Sequence, residues 1–143
     1  MWNKYQKTLN SETSFSGVGL HSGIKVDVTL IPGNSNSGIV FKRIDLEKDN
    51  EIVANFKNVS SAKLCTKIEN NHGVSVSTIE HLLAAFYVCG IDNIIVNLNG
   101  PEVPIMDGSA KEFVKIINEI GLKTLEGLSL IHISEPTRPE RMG

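Results

Sequence analysis

The stretch Ser77-Thr78-Ile79-Glu80-His81-Leu82-Leu83-Ala84-Ala85-Phe86 constrains this chain more than any other. Ile79, Leu82, Leu83 and Phe86 recur at helical spacing, which predicts a helix over 78–89 with one apolar stripe. Ser77 has the chemistry of an N-cap, and Glu80 three residues later completes the capping-box pattern. Gly90 supplies a left-handed stop. His81, Ala84, Ala85 and Val88 share a second face at i, i+3, i+4 and i+7. A helix apolar on both faces is normally buried between two layers. Here the second face carries small residues and one imidazole, which leaves room for something else to sit against it.

Before this helix the pattern is that of strands. Residues 7–15 read as a first edge strand, and Gly17-Val18-Gly19-Leu20-His21-Ser22-Gly23 as a glycine-rich bend. Ile24, Val26, Val28 and Leu30 alternate with Lys25, Asp27 and Thr29, the mark of a half-buried strand. Residues 32–38 are a loop by composition, 39–44 a strand, 45–50 a charged turn and 51–60 a weak strand. Asn70-Asn71-His72-Gly73 reads as a hairpin turn between 64–69 and 74–76. After Gly90, residues 94–98 alternate again, and Gly100-Pro101-Glu102-Val103-Pro104 makes a rigid turn. Ser109-Ala110-Lys111-Glu112 is a second capping box, and it opens a helix with the stripe Phe113, Ile116, Ile117 and Ile120, closed by Gly121. Strands segregated from helices in this way predict an α+β fold: a two-layer sandwich of a mostly antiparallel sheet with two helices on one face. The domain is placed at 1–128. Residues 129–143 have no sustained period and resemble the in-frame translation of a sequencing adapter, so they are set aside as non-native and expected to lack tertiary contacts.

Composition narrows the function classes. A net charge of −2 with no basic face argues against nucleic acid as the partner. No apolar run reaches membrane-spanning length, and the first residues hold no secretory h-region. Cys65 and Cys89 lie in apolar contexts with no CxxC spacing, which points to a reducing, cytoplasmic setting.

Glu80-His81 is the pair with chemistry. The structural reading is a capping glutamate beside a partly buried histidine. The functional reading is a metal site in which imidazole binds zinc and the adjacent carboxylate takes a proton from water. Spacing supplies no second ligand, because His21, His72 and His132 all lie far from the helix turn of His81. Gly17-x-Gly19 precedes a strand rather than a helix and so fails as a dinucleotide loop. His21 is open between a site residue and an exposed histidine. Cys65 reads as a small buried hydrophobe, and Asp107-Gly108-Ser109 as a turn that caps the second helix.

Five blocks occur in order: Gly17-Val18-Gly19-Leu20-His21-Ser22-Gly23, Leu64-Cys65-Thr66, Ser77-Thr78-Ile79-Glu80-His81-Leu82, Gly90-Ile91-Asp92-Asn93, and Pro101 through Ser109. Over residues 4–126 the chain resembles the N-terminal domain of the UDP-3-O-acyl-N-acetylglucosamine deacetylase family, zinc enzymes of lipid A synthesis in Gram-negative bacteria. The resemblance implies two similar α+β domains whose helices are sandwiched between two outer sheets, with the active site between them. It implies Zn2+ as cofactor, His81 as one ligand and Glu80 as general base. The other two ligands and the general acid would come from a C-terminal domain of the same chain. His21, Leu64 and Cys65 would lie near the substrate, UDP-3-O-acyl-N-acetylglucosamine, and the present chain alone would be inactive. Two alternatives stay open: a non-catalytic domain binding a sugar nucleotide or a partner, and the first part of a fusion of the deacetylase with an acyl-carrier-protein dehydratase.

Overall fold

Alternation builds the central sheet. In the computed structural model, which describes residues 5–54, 59–61 and 66–128, Val26, Val28 and Leu30 of β3 (Lys25–Pro32) are fully buried on one face. Ile94, Val96 and Leu98 of β9 (Ile94–Leu98) lie on that same side. β3 pairs antiparallel with β2 (Thr13–Val18) and with β9. β4 (Ile39–Arg43) runs parallel to β9 and antiparallel to β5 (Glu51–Val53), giving the order β2-β3-β9-β4-β5. The parallel ladder requires a long crossover, and the segment between β5 and β9 provides it. That segment holds the small antiparallel sheet β6 (Val59–Ser61), β7 (Thr66–Glu69) and β8 (Ser75–Ser77), then α1 (Glu80–Cys89). The opposite face of the main sheet is polar near its β2 edge, where Ser14 meets Thr29 at 2.9 Å and Ser16 donates to Asp27 at 2.6 Å.

The two helices cover the apolar face, as the pattern predicts. α2 (Lys111–Ile120) packs beside α1 and sets Phe113 against Phe15 of β2, ring centres 5.4 Å apart. Leu82, Ala85 and Phe86 of α1 and Phe113 and Ile117 of α2 enter one core with β3 and β9. Gly90 ends α1 at φ 80, ψ 29; its N–H donates to the Tyr87 carbonyl while that of Ile91 donates to Phe86. This paired closure is the Schellman arrangement.

Several expectations are corrected. The single strand at 7–15 is two: β1 (Tyr5–Leu9) and β2 belong to different sheets, and the break falls at Asn10-Ser11-Glu12. β1 pairs instead with β10 (Leu122–Leu128), which the sequence reading had not marked. Among the described residues the strands form a five-stranded sheet and two smaller ones, mostly antiparallel, and with the two helices they make the expected α+β sandwich. A buried polar network holds β1 in place. Asp92 Oδ2 accepts the Lys7 N–H at 2.9 Å, and Asn93 Nδ2 donates to Gln6 Oε1 at 2.7 Å. Asn93 also accepts the Gly38 N–H. Neither capping box forms as drawn. α1 starts at Glu80 with Ile79 at its cap position and no side-chain cap, because Ser77 is held in β8. At α2, Ser109 Oγ accepts the Lys111 N–H at 3.2 Å, but the Ser109 N–H that Glu112 would have bound is taken by Asp107 Oδ1 at 3.0 Å. Ala85, expected on the outer face of α1, lies in the core.

Candidate functional site

Glu80 and His81 occupy the first turn of α1 and are both half-buried. A carboxylate is favoured there by the helix dipole. Beyond His81 the same outward side of the helix presents exposed Ala84, Tyr87 and Val88, the last two 63% and 72% accessible. The core holds the other side through Leu82, Ala85 and Phe86.

The chain reaches this turn through a constrained path. The Ser77 N–H donates to the Pro101 carbonyl at 2.9 Å, and the Val103 N–H donates to the Ser77 carbonyl at 3.1 Å, a parallel bridge between Ser77 and Glu102. Thr78 then takes φ 59, a left-handed value that a β-branched residue adopts only under constraint. Its hydroxyl donates to Glu102 Oε2 at 2.6 Å. Glu102 is 2% exposed and also accepts the backbone N–H groups of Ser22 at 2.9 Å and of His21 at 3.1 Å. Burial pushes the Glu102 carboxyl up, but the hydrogen bonds from Thr78, Ser22 and His21 outweigh it and hold it below the ordinary glutamate value.

Glu102 therefore ties the glycine bend to the start of α1. Gly19 is needed at the contact, since a Cβ there would overlap Glu102 Oε1 and Ser22 Oγ. Gly17 is equally confined, with a Cβ falling 2.8 Å from Pro104 Cβ. His21 is brought to this cluster by its backbone and has an exposed side chain. Leu64 and Cys65 lie outside the described residues, as does His132. His72 stands apart on the β7–β8 turn, 3.6 Å from Asp49. The sequence places Glu102 only in a rigid turn; an acidic residue between two prolines and beside Val103 was the available signal.

His81 offers one donor to a metal. Among the described residues no three His, Cys, Asp or Glu side chains converge as a binding set, whereas catalytic zinc takes three protein ligands and an open position. The described residues alone do not fit a complete zinc site.

The LpxC family model, described as UDP-3-O-acyl N-acetylglycosamine deacetylase, matches residues 6–141. This chain belongs to that family. The matched span runs on through most of 129–143, a segment outside the described residues. A relative from Geotalea uraniireducens named UDP-3-O-acyl-N-acetylglucosamine deacetylase is 53% identical over 85% of this chain and 39% of its own length. Those of the same name from Wigglesworthia glossinidia brevipalpis and Colwellia psychrerythraea are each 46% identical, over 95% and 94% of this chain and 46% and 45% of theirs. The chain thus spans less than half the length of these relatives. The Glu80-His81 turn, the glycine bend and the Pro101–Ser109 loop of this LpxC-family chain form one connected corner of the fold.

Proposed function

We propose that the protein carrying this chain is a zinc-dependent deacetylase that hydrolyses the N-acetyl group of UDP-3-O-acyl-N-acetylglucosamine in lipid A synthesis, in the cytoplasm of a Gram-negative bacterium. The observation that carries this reading is the Glu80-His81 pair on the first turn of α1, in a chain of the LpxC family. His81 would be one zinc ligand, and the remaining donors would come from elsewhere in a protein whose relatives are more than twice as long as the span they share with this chain. Zinc, once held, would lower the pKa of water and polarise the acetamide carbonyl. Glu80 is the base that accepts the proton of the attacking water, a role that contributes roughly 10²- to 10⁴-fold. The acetamide C–N bond breaks, acetate leaves, and the amine gains a proton from a group outside this chain. By family resemblance, His21, Leu64 and Cys65 lie near the substrate. Among the described residues no complete donor set is present, and on this reading the 143-residue chain alone is inactive.

The test is made in the full-length protein. His81→Ala should lose zinc and activity together. Glu80→Ala should retain zinc and lose roughly 100-fold or more of turnover. Equal zinc loss from both variants would assign Glu80 to metal support and remove it as the base. Undiminished turnover in either would refute the site.

A further inference from the structure

Glu102 is a buried carboxylate that the proposed chemistry does not use. It accepts from two segments far apart in sequence, the bend at His21 and Ser22 and the single residue Thr78. Each segment has local bonds of its own, the bend through Gly19 N–H to the Ile24 carbonyl and Gly23 N–H to the Gly19 carbonyl, and the approach to Thr78 through the Ser77 bridge; Glu102 is what joins the two to each other. The bend consists of glycines and exposed side chains, with Val18, Leu20 and Ile24 each at least half accessible. α1 begins without a side-chain cap. Thr78 lies two residues ahead of Glu80 at a left-handed φ that reverts unless it is held. We propose that Glu102 is the positioning residue of this site: its carboxylate clamps the His21 bend to Thr78, and through Thr78 it aims the Glu80-His81 turn. The clamp has two arms. The Thr78 hydroxyl sets the direction in which α1 starts, and the His21 and Ser22 amides set the height of the bend over it.

The arms predict separable kinetics, because misplacing a reacting group by about 1 Å costs roughly 100-fold in rate. Interactions that bind ground and transition states equally change KM alone. The catalytic consequence rests on the deacetylase reading; the clamp itself does not. The experiment uses the full-length enzyme with Thr78→Val, Thr78→Ser and Glu102→Gln. Kinetics on UDP-3-O-acyl-N-acetylglucosamine are measured alongside thermal midpoint and amide exchange at His21, Ser22, Glu80 and His81. Thr78→Val keeps the β-branch and loses the hydroxyl, so kcat should fall about tenfold or more with KM within about threefold. Thr78→Ser restores the hydroxyl and should restore kcat. Glu102→Gln replaces one acceptor oxygen by a donor. It should lower kcat similarly, raise KM, and speed amide exchange at all four positions by about tenfold or more.

A folded Thr78→Val with wild-type kcat, or a Thr78→Ser that fails as Thr78→Val does, would overturn the proposal. Should Glu102→Gln not fold, the Thr78 pair decides alone. If the wild-type protein shows no deacetylation, the functional reading fails and the clamp is judged by exchange. Unchanged exchange at both the bend and the α1 turn in Glu102→Gln would then refute it.

Discussion

Thr78 and Glu102 show how one residue's conformation depends on another's charge. Holding a non-glycine residue in a sparsely populated backbone region costs about 1–3 kcal/mol, and a hydrogen bond to a charged acceptor offsets about 1.5–3 kcal/mol. The bond from Thr78 to Glu102 is therefore large enough to sustain φ 59 while Glu102 is ionised, and weaker once it is protonated. The sign follows from the direction of the shift. The Glu102 carboxyl lies below its ordinary value of 4.5 in the folded protein. Its contribution is thus complete above pH 4.5 and is lost as the pH falls through the folded value. Urea unfolding between pH 7 and pH 3 should show wild type losing more stability than Glu102→Gln; parallel curves would mean that Glu102 does not couple to folding. Gly19 belongs to the same contact. Gly19→Ala would drive a methyl group into Glu102 Oε1 and should destabilise by about 1–3 kcal/mol, read from the urea midpoint.

At the level of elements, local signals succeeded where the backbone's partners are local. Gly90 follows an apolar stripe and ends α1 in the left-handed region, so Gly90→Ala should cost about 1–2 kcal/mol by urea unfolding. Asn70 shapes the β7–β8 turn by accepting from His72 and Val74, within four residues of itself. β3 and β9 were legible because strict alternation has one physical outcome on a sheet with one buried face. The failures occurred where distant pairing decides. Ser77-x-x-Glu80 has the form of a capping box, but the Ser77 N–H and C=O are already bound to Pro101 and Val103. Ser77→Ala would remove the 3.3 Å bond from its hydroxyl to the Pro101 carbonyl and should cost about 0.5–1.5 kcal/mol, with amide exchange in the first turn of α1 unchanged. Faster exchange in that turn would restore the cap. β10 alternates poorly and finds its partner β1 more than a hundred residues earlier in the chain, and the break between β1 and β2 depends on the same pairing. Of the candidate site, the Glu80-His81 turn was legible from its helix pattern. The Glu102 clamp was not, because its partners lie 24 and 80 to 81 residues away.

Among the described residues, one face of α1 presents apolar side chains that the core does not use. Along α1, Ala84, Tyr87 and Val88 are exposed on the side of the helix that carries half-buried His81. Apolar side chains gathered on one exposed helix face mark a surface suited to being covered by another segment or partner. The relatives are more than twice as long as the span they share with this chain. The same arithmetic applies to the metal, since one imidazole cannot reproduce the affinity of three converging donors. Both arguments give one expectation for the 143-residue chain in isolation: weak zinc binding, no deacetylation and association that grows with concentration. Replacing Tyr87 and Val88 by lysine should shift sedimentation toward monomer without restoring zinc. The measurement is zinc stoichiometry with sedimentation velocity across a concentration series. Stoichiometric tight zinc and turnover in a monomer would require a second and third ligand within this chain and would end the reading of an incomplete site. Zinc and activity recovered only in the full-length protein would locate the missing donors in the remainder of its length.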